Sequence, residues 1–283
     1  MGRKTNPKRV TVKSKRSSPS PRLRGEGQGE RPHPQAQTRG KAPPSGKSSP
    51  ASSPVAKSAA GRARLPKAWT PAEIEEAFRR LRAAKPEPRS ELEHVDPYTL
   101  LVAVVLSAQA TDAGVNKATP ALFAAADTPQ KMVALGEHRL RELIKTIGLY
   151  RTKAKNLIAL SQKLIAEHGG AVPQSREALE ALPGVGRKTA NVVLNVAFGA
   201  ETIAVDTHVF RVGNRTGLAP GKTPLEVETK LDARVPPAYR RHAHHWLILH
   251  GRYTCKAQRP LCGTCPINDL CRWPQKTTFM AAG

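Results

Sequence analysis

The segment Leu182-Pro-Gly-Val-Gly-Arg-Lys-Thr-Ala190 places Gly184 and Gly186 one residue apart, directly after Pro183. A proline-free run rich in alanine and valine follows from Thr189 to Gly199, so the pattern predicts a helix, a tight turn and a second helix. The turn ends at the N-terminus of the second helix, where unpaired N–H groups attract anions such as nucleic-acid phosphates. A plain helix–helix corner also favours glycine, so this pattern alone leaves both interpretations open.

Two residues near this turn could carry chemistry. Lys188 falls in the first turn of the second helix, where it is either an amine nucleophile or a phosphate-binding cation. A helix from Arg187 to Gly199 carries the chain about 18 Å away at about 1.5 Å per residue. Residues 200–206 can span about 23 Å when extended, so Asp206 can return to Lys188. Asp206 can equally be the N-cap of a helix that begins at Thr207, and capping is compatible with catalysis.

The charge of the chain points to a polyanionic partner. The 283 residues carry a net charge of +24 and an isoelectric point of about 10.5, which is typical of nucleic-acid-binding proteins. Residues 1–67 hold 17 of the 46 Lys and Arg residues, ten prolines and only Glu26 and Glu30 as acids, a net charge of +15. We therefore predict a disordered basic tail that binds DNA non-specifically. A solvated extension without function or a transit peptide are the alternatives, although the prolines oppose an amphipathic helix.

The rest of the chain predicts an all-α fold. Helix starts are expected at the capping box Thr70-Pro-Ala-Glu73, at Asp96-Pro97, and at four further capping positions. These are Thr111-Asp112, Thr128-Pro129, Ser175 and Thr223-Pro224. Arg151 to His168 reads as a long amphipathic helix that ends at Gly169, and Pro120 should kink or divide its helix. No run approaches the length of a membrane span, and the start of the chain does not resemble a secretory signal.

At this point the chain resembles a known group of enzymes. The segment Leu182–Ala190 resembles the helix-hairpin-helix of base-excision DNA glycosylases, and Val205-Asp-Thr-His208 resembles the aspartate segment of the same superfamily. From about Lys67 to the C-terminal region, the chain is similar to the bacterial endonuclease III family of bifunctional DNA glycosylases and abasic-site lyases. The resemblance implies two lobes: a cluster domain of residues 68–89 and 200–283, and a helical bundle of residues 90–199. DNA would lie across the cleft between them.

The resemblance also implies roles for individual residues. Lys188 would attack the sugar C1′, displace the base and form a Schiff base that permits β-elimination, while Asp206 assists by taking a proton or by stabilising the cationic sugar. Gln109 and Leu149 would fill the gap that is left when the damaged base leaves the stack. A helix C-cap and a small core contact are the plainer interpretations of these two positions. The remaining expected DNA-binding residues are Gly184, Gly186 and Arg187.

The four cysteines of the chain form one cluster, Cys255, Cys262, Cys265 and Cys271, with the spacing C-x6-C-x2-C-x5-C. Four clustered thiols suit either tetrahedral zinc or an iron–sulfur cluster, and the spacing alone leaves both open. The resemblance implies a [4Fe-4S] cluster. The same loop carries Arg252, Lys256 and Arg259, which either face DNA phosphates or form a solvated surface.

We therefore predict a base-excision DNA repair enzyme that removes oxidised pyrimidines from double-stranded DNA and cleaves abasic sites. We expect a monomer without membrane contact, located in the bacterial cytoplasm with the nucleoid. One alternative is an adenine DNA glycosylase of the same superfamily, which does not have a lysine at the position of Lys188. The other is a DNA-binding module without catalysis, which would leave Lys188 and Asp206 without a joint purpose.

Overall fold

The computed structural model describes residues 65–279, which lie within one unit of the chain and contain helices but no strand. Ten α-helices are present in these residues, followed by a π-helical turn at His250–Thr254 and a 3-10 helix at Pro274–Phe279. The α-helices are α1 (Pro71–Ala84), α2 (Pro97–Ser107), α3 (Asp112–Ala125), α4 (Pro129–Ile144), α5 (Tyr150–His168), α6 (Arg176–Glu180), α7 (Arg187–Phe198), α8 (Thr207–Thr216), α9 (Pro224–Arg234) and α10 (Pro237–Leu249). The predicted all-α fold is confirmed. The predicted disorder of residues 1–67 falls almost wholly outside the described residues.

The predicted helix starts are confirmed by their capping hydrogen bonds. At each start a short polar side chain accepts a hydrogen bond from a backbone N–H three residues later, which satisfies one of the orphan donors of the first turn. These N-caps are Thr70, Asp96, Thr111, Thr128, Ser175 and Thr223. Thr70 and Asp96 form reciprocal capping boxes with Glu73 and Thr99. Helix α5 ends as predicted at Gly169, which has a left-handed φ of 60°.

Two helices depart from the simplest interpretation of their sequence. Helix α3 runs through Pro120 from Asp112 to Ala125, so Pro120 does not divide this helix, and the predicted kink stays a prediction. A proline removes only one hydrogen bond, and the buried side chains Val115 and Leu122 on either side keep α3 packed. Helix α4 is instead interrupted at Gly136, whose φ of 76° and ψ of 158° are not helical.

The apolar side chains of the described residues form two separate cores. The first is built from α2 to α7, with Leu92 and Ala204 as its outermost members along the chain. The second joins α1, through Phe78, to buried residues from Ile203 to Ile267. The chain passes from the first core to the second just after α7. In residues 65–279 no helix combines the length and apolar character that crossing a membrane requires.

Candidate active site

The predicted hairpin is present between α6 and α7. Its two glycines differ in whether the fold requires glycine at their positions. Gly184 has a left-handed φ of 79°, and a Cβ there would lie 2.8 Å from Nδ2 of Asn156, so the fold itself requires glycine. Gly186 has an ordinary φ of −104°, and a Cβ there would meet nothing within 4 Å. Gly186 is the N-cap of α7 and offers no side-chain hydrogen bond to its first turn. These N–H groups are therefore free of a side-chain partner and open to an anion.

Lys188 is the second residue of α7 and is exposed. It lines a cavity of about 50 Å³ together with Ser107, Asp112, His244 and Arg252. Within this cavity Arg252 forms an ion pair with Asp112, with Nη1 2.5 Å from Oδ2, and a second ion pair with Glu91. Asp112 and Glu91, the two carboxylates that line this cavity with Lys188, thus share the one guanidinium of Arg252.

His244 of α10 lines the same cavity with an uncharged side chain. Its side chain is 3% exposed, and burial lowers its pKa to about 3, with His245 and Lys188 contributing in the same direction. A hydrogen bond with the backbone of Ala204 acts in the opposite sense. Nδ1 of His244 is buried and has no hydrogen-bond partner. Because the imidazole stays neutral near pH 7, it adds a polar group to the cavity without adding a charge.

Asp206 occupies the N-cap of α8, where its Oδ1 accepts hydrogen bonds of 2.8 Å from the backbone N–H groups of His208 and Val209. The chain returns along α7 as predicted. The Thr202 hydroxyl donates to the carbonyl oxygen of Asn191 at 2.7 Å, and Nδ2 of Asn195 donates to that of Ala200 at 2.8 Å. Asp206 is half-buried but is not among the residues that line the Lys188 cavity. The predicted capping role is therefore confirmed, and the catalytic role stays a prediction.

Gln109 and Leu149 lie in two loops that touch. Gln109 follows α2, Leu149 precedes α5, and a Cβ built on Gly148 would lie 3.7 Å from the carbonyl oxygen of Gln109. Both side chains are exposed, and Leu149 exposes 58% of its surface. Both also have left-handed backbones, with φ of 54° and 59°. This conformation is strained for residues other than glycine, and such strain is concentrated at functional sites.

Two of the arginines expected to face DNA are held by carboxylates. Nη2 of Arg187 lies 2.8 Å from Oε1 of Glu228, a side chain that is only 6% exposed. Arg187 therefore ties the first turn of α7 to α9, and 44% of its side chain is still exposed. Arg252 is paired with Asp112 and Glu91, so its guanidinium points into the Lys188 cavity and binds carboxylates there. Lys256 and Arg259 remain exposed on the cysteine loop.

The four cysteines line one small cavity, which fits a bound cluster. Cys255, Cys262, Cys265 and Cys271 share this cavity with apolar neighbours such as Pro260 and Leu261. Within residues 65–279 no group of three or more His, Cys, Asp or Glu side chains has the geometry to hold a metal ion directly. A four-iron cluster gives each cysteine its own iron, and four cysteines around one shared cavity supply that set of ligands.

The surroundings of two of these thiols disfavour a free thiolate. Burial raises the pKa of Cys265 to about 12 and also raises the pKa of Cys271. Iron supplies the positive charge that such buried sulfur atoms need in order to be thiolates. Nη1 of Arg215 lies 3.8 Å from the sulfur of Cys255, and Nζ of Lys276 donates to the carbonyl oxygen of Cys271 at 2.8 Å.

Sequence reasoning missed His244 and the ion pairs of Arg252. The signal for His244 was the pair His244-His245 directly before the apolar run Trp246-Leu-Ile-Leu249. A histidine beside such a run is usually a core residue, and only the fold shows that it lines the same cavity as Lys188. The partners of Arg252 are 140 and 161 residues away along the chain, a separation that no local pattern reveals.

Comparisons with known proteins agree with this geometry. Residues 102–237 match the HhH-GPD superfamily base excision DNA repair protein profile, and residues 255–271 match the iron-sulfur binding domain of endonuclease III. Endonuclease III of Haemophilus influenzae is 58% identical over 204 residues, which are 72% of this chain and 97% of that protein. Endonuclease III of Escherichia coli K12 is 57% identical over 201 residues, which are 71% of this chain and 95% of that protein.

Solved structures give the same answer. A structure described as a trapped endonuclease III–DNA covalent intermediate aligns with a TM-score of 0.70 at 46% identity, covering 74% of this chain and 99% of that one. A non-covalent endonuclease III–DNA complex aligns with a TM-score of 0.70 at 45% identity and covers 74% of this chain and 99% of that one. These similarities favour the bifunctional repair enzyme over both an adenine glycosylase and a non-catalytic module.

Proposed function

Because this chain belongs to the endonuclease III family, we propose that Lys188 and Asp206 carry out the chemistry of its two reactions. The protein is a base-excision DNA repair enzyme, a DNA glycosylase with associated abasic-site lyase activity. It carries a [4Fe-4S] cluster, and we assign Cys255, Cys262, Cys265 and Cys271 as its ligands. DNA that contains damaged bases or abasic sites is its substrate. Within that class we propose oxidised pyrimidines.

The observation that carries the proposal is the position of Lys188, exposed at the start of α7 and beside a cavity whose carboxylates are already paired. As a neutral amine, its Nζ forms a bond to C1′ of the nucleotide while the bond from C1′ to the base breaks and the base leaves with the electron pair. Opening of the sugar ring gives a Schiff base between Nζ and C1′. Loss of a proton from C2′ then expels the 3′ phosphate oxygen and cuts the strand.

Asp206 is the proposed proton acceptor for the Lys188 amine, or the anion that stabilises the positive sugar. The return of residues 200–206 along α7 supports this role, since Thr202 and Asn195 hold the returning chain against the helix that carries Lys188. Two N–H groups donate to Oδ1. These hydrogen bonds fix the carboxylate of Asp206 at the start of α8.

DNA would lie across the two cores. We propose a cluster domain of residues 68–89 and 200–283 and a helical bundle of residues 90–199, a division that the separate cores support. The open N-terminus of α7 with Gly186 would bind a phosphate, and Gln109 and Leu149 would fill the space of the flipped nucleotide. Arg187 would contact DNA only with the part of its side chain that Glu228 leaves exposed. We further propose a monomer that acts at the bacterial nucleoid in the cytoplasm, without membrane contact.

Borohydride trapping tests the assignment of Lys188. Reduction during reaction with abasic DNA should yield a covalent protein–DNA adduct, because only an amine nucleophile forms a reducible imine with the opened sugar. Lys188→Gln should abolish adduct formation and strand cleavage while thermal unfolding and duplex binding stay close to those of the unmodified protein. Lys155→Gln, at an exposed lysine of α5, is the matched control and should trap normally. An undiminished adduct in Lys188→Gln would place the nucleophile elsewhere.

A further inference from the structure

A buried lysine joins the two loops that carry Gln109 and Leu149. Lys153 lies in the first turn of α5 and is only 5% exposed, although lysine is seldom buried without a partner. Its Nζ donates a hydrogen bond of 2.9 Å to the carbonyl oxygen of Leu106, in the last turn of α2. Its backbone N–H donates to the carbonyl oxygen of Leu149 at 3.0 Å. One residue is therefore bonded to the segment before Gln109 and to Leu149 itself.

Simple packing does not account for a lysine at this position. Burial lowers the pKa of Lys153, which shows that the site penalises the charged form. The negative end of the α2 helix dipole offsets part of that penalty. An apolar side chain would fill the same space without a desolvation cost. What it could not supply is the hydrogen bond that holds the end of α2.

The backbones of the two loops supply that reason. Gln109 and Leu149 both hold left-handed φ values that cost free energy, and the loops touch where Gly148 approaches the carbonyl oxygen of Gln109. Strained loop conformations persist only when surrounding contacts fix them. Lys153 links the two sides: it lies in the first turn of α5, which begins directly after Leu149, and its side chain holds the last turn of α2, three residues before Gln109.

We propose that Lys153 is a positioning residue that fixes the Gln109 and Leu149 loops to each other, so that the two side chains enter the DNA stack as one unit. This inference rests on the proposed roles of Gln109 and Leu149, and it adds the residue that sets their mutual geometry. Lys153 does not touch the reacting atoms. It acts on the step that exposes a paired nucleotide, which a missing base makes much less costly.

The test uses Lys153→Met, which keeps the length of the side chain and removes its charge and hydrogen bond. The matched control is Ser161→Ala, two turns further along α5. The Ser161 hydroxyl lies 2.7 Å from the Tyr98 hydroxyl and so forms another buried contact between α5 and α2, away from the loops. Lys153→Arg keeps a cationic donor and should recover part of any loss. All variants are compared as full-length protein with bound cluster.

Two measurements are made on each variant. Amide hydrogen exchange of the free protein should become faster in both residues 107–111 and 147–152 for Lys153→Met, and in neither segment for Ser161→Ala. Single-turnover removal of a paired oxidised pyrimidine should slow by about tenfold for Lys153→Met, as expected when a hydrogen bond from a charged donor is lost. Cleavage of an abasic site should change by less than about twofold, which also shows that the variant is folded and active.

The outcomes separate this inference from the proposed function. Unchanged exchange in either loop, or equal losses on the paired and abasic substrates, would overturn the role of Lys153. Gln109→Ala and Leu149→Ala are measured on the same two substrates. If they slow both substrates equally, the proposed roles of Gln109 and Leu149 fail, and faster exchange in both loops would still support the coupling by Lys153.

Discussion

At the residue scale, Asp206 combines a structural and a chemical role that substitution can separate. Asp206→Asn keeps an oxygen at the N-cap of α8, so the free energy of unfolding should change by less than about 0.5 kcal/mol. Asp206→Ala removes the hydrogen bonds to His208 and Val209 and should cost about 1 kcal/mol. Both variants should slow base release by about 10² or more, the typical loss for a proton-transfer group. Base release at the normal rate in Asp206→Asn would leave Asp206 as a helix cap alone.

The buried histidines beside the active site make stability depend on pH. Burial lowers the pKa of His244 to about 3 and of His245 to about 4 from an ordinary value of 6.5. Below pH 6.5 the unfolded chain takes up protons at these positions whereas the folded protein does not. Their contribution to the free energy of unfolding is therefore complete above about pH 6.5 and declines as the pH falls toward 4. At about 1.4 kcal/mol per pKa unit, His245 alone accounts for a loss of about 3 kcal/mol.

Denaturant unfolding between pH 7 and pH 5 measures this effect through a pair of variants. His245→Gln cannot take up a proton, so its stability should fall less over this interval than that of the unmodified protein, whatever its stability at pH 7. His138→Gln removes an exposed histidine of α4 and should leave the dependence on pH unchanged. Identical pH dependence in all three proteins would show that His245 does not contribute.

Residues whose role depends on a nearby motif were predictable, and residues defined by distant partners were not. Lys188 stands out because it follows the Gly184 and Gly186 turn directly, and Asp206 stands out because the returning chain has the right length. His244 directly precedes the apolar end of α10 and becomes part of the site only through the packing of α10 beside α7. The pairing of Arg187 with buried Glu228 is also invisible in sequence, since 41 residues separate them.

At the element scale, the two glycines of the hairpin predict opposite effects on folding and on DNA binding. Gly184→Ala should destabilise the protein by about 1–2 kcal/mol, because its φ of 79° is left-handed and the new methyl group would press on Asn156. Gly186→Ala should change stability only slightly, since its backbone is ordinary, a Cβ there meets nothing, and the modest preference of an N-cap for glycine opposes the gain in chain stiffness. Gly186→Ala should nevertheless weaken duplex binding by about tenfold, because a phosphate at the start of α7 would meet the methyl group.

Thermal unfolding and duplex affinity at one fixed salt concentration distinguish these effects. The expected pattern is a lower melting temperature for Gly184→Ala and an unchanged melting temperature with weaker binding for Gly186→Ala. If Gly186→Ala binds DNA as tightly as the unmodified protein, the hairpin is a corner between helices and does not approach the backbone of DNA. No contact within the protein requires glycine at position 186. The duplex affinity of Gly186→Ala is therefore the measurement that tests its role.

Helix boundaries were predictable because local chemistry decides them, whereas interruptions within helices were not. The side chain of Thr70 or Asp96 caps its helix by contacts within three residues, so a sequence pattern contains all of the information. The continuity of α3 through Pro120 depends instead on its packing against the rest of the first core. The break at Gly136 likewise has no proline or capping signal before it, and a single glycine inside a helical pattern predicts only a modest cost.

At the scale of the whole molecule, charge is unevenly distributed along the chain. Residues 1–67 carry +15 of the net charge of +24, and the remainder carries +9. The sequence predicts this division without any structure, since it needs only composition. The arrangement of the two cores was not available from composition or periodicity, because contacts such as that of Phe78 in α1 with Trp246 in α10 join segments far apart in the chain.

Deletion of residues 1–64 should separate non-specific affinity from catalysis. Each phosphate contact made by a cation contributes about 0.9 to the slope of log affinity against log salt, so the truncated protein should show a flatter slope and weaker binding at low salt. Single-turnover excision at saturating protein concentration should be unchanged, because the two cores and the Lys188 cavity lie within residues 65–279. A full-length variant with the Lys and Arg residues of positions 1–64 replaced by Gln is the matched control and should reproduce the flatter slope. If that control keeps the original slope while the truncated protein loses turnover, the tail contributes through something other than its charge.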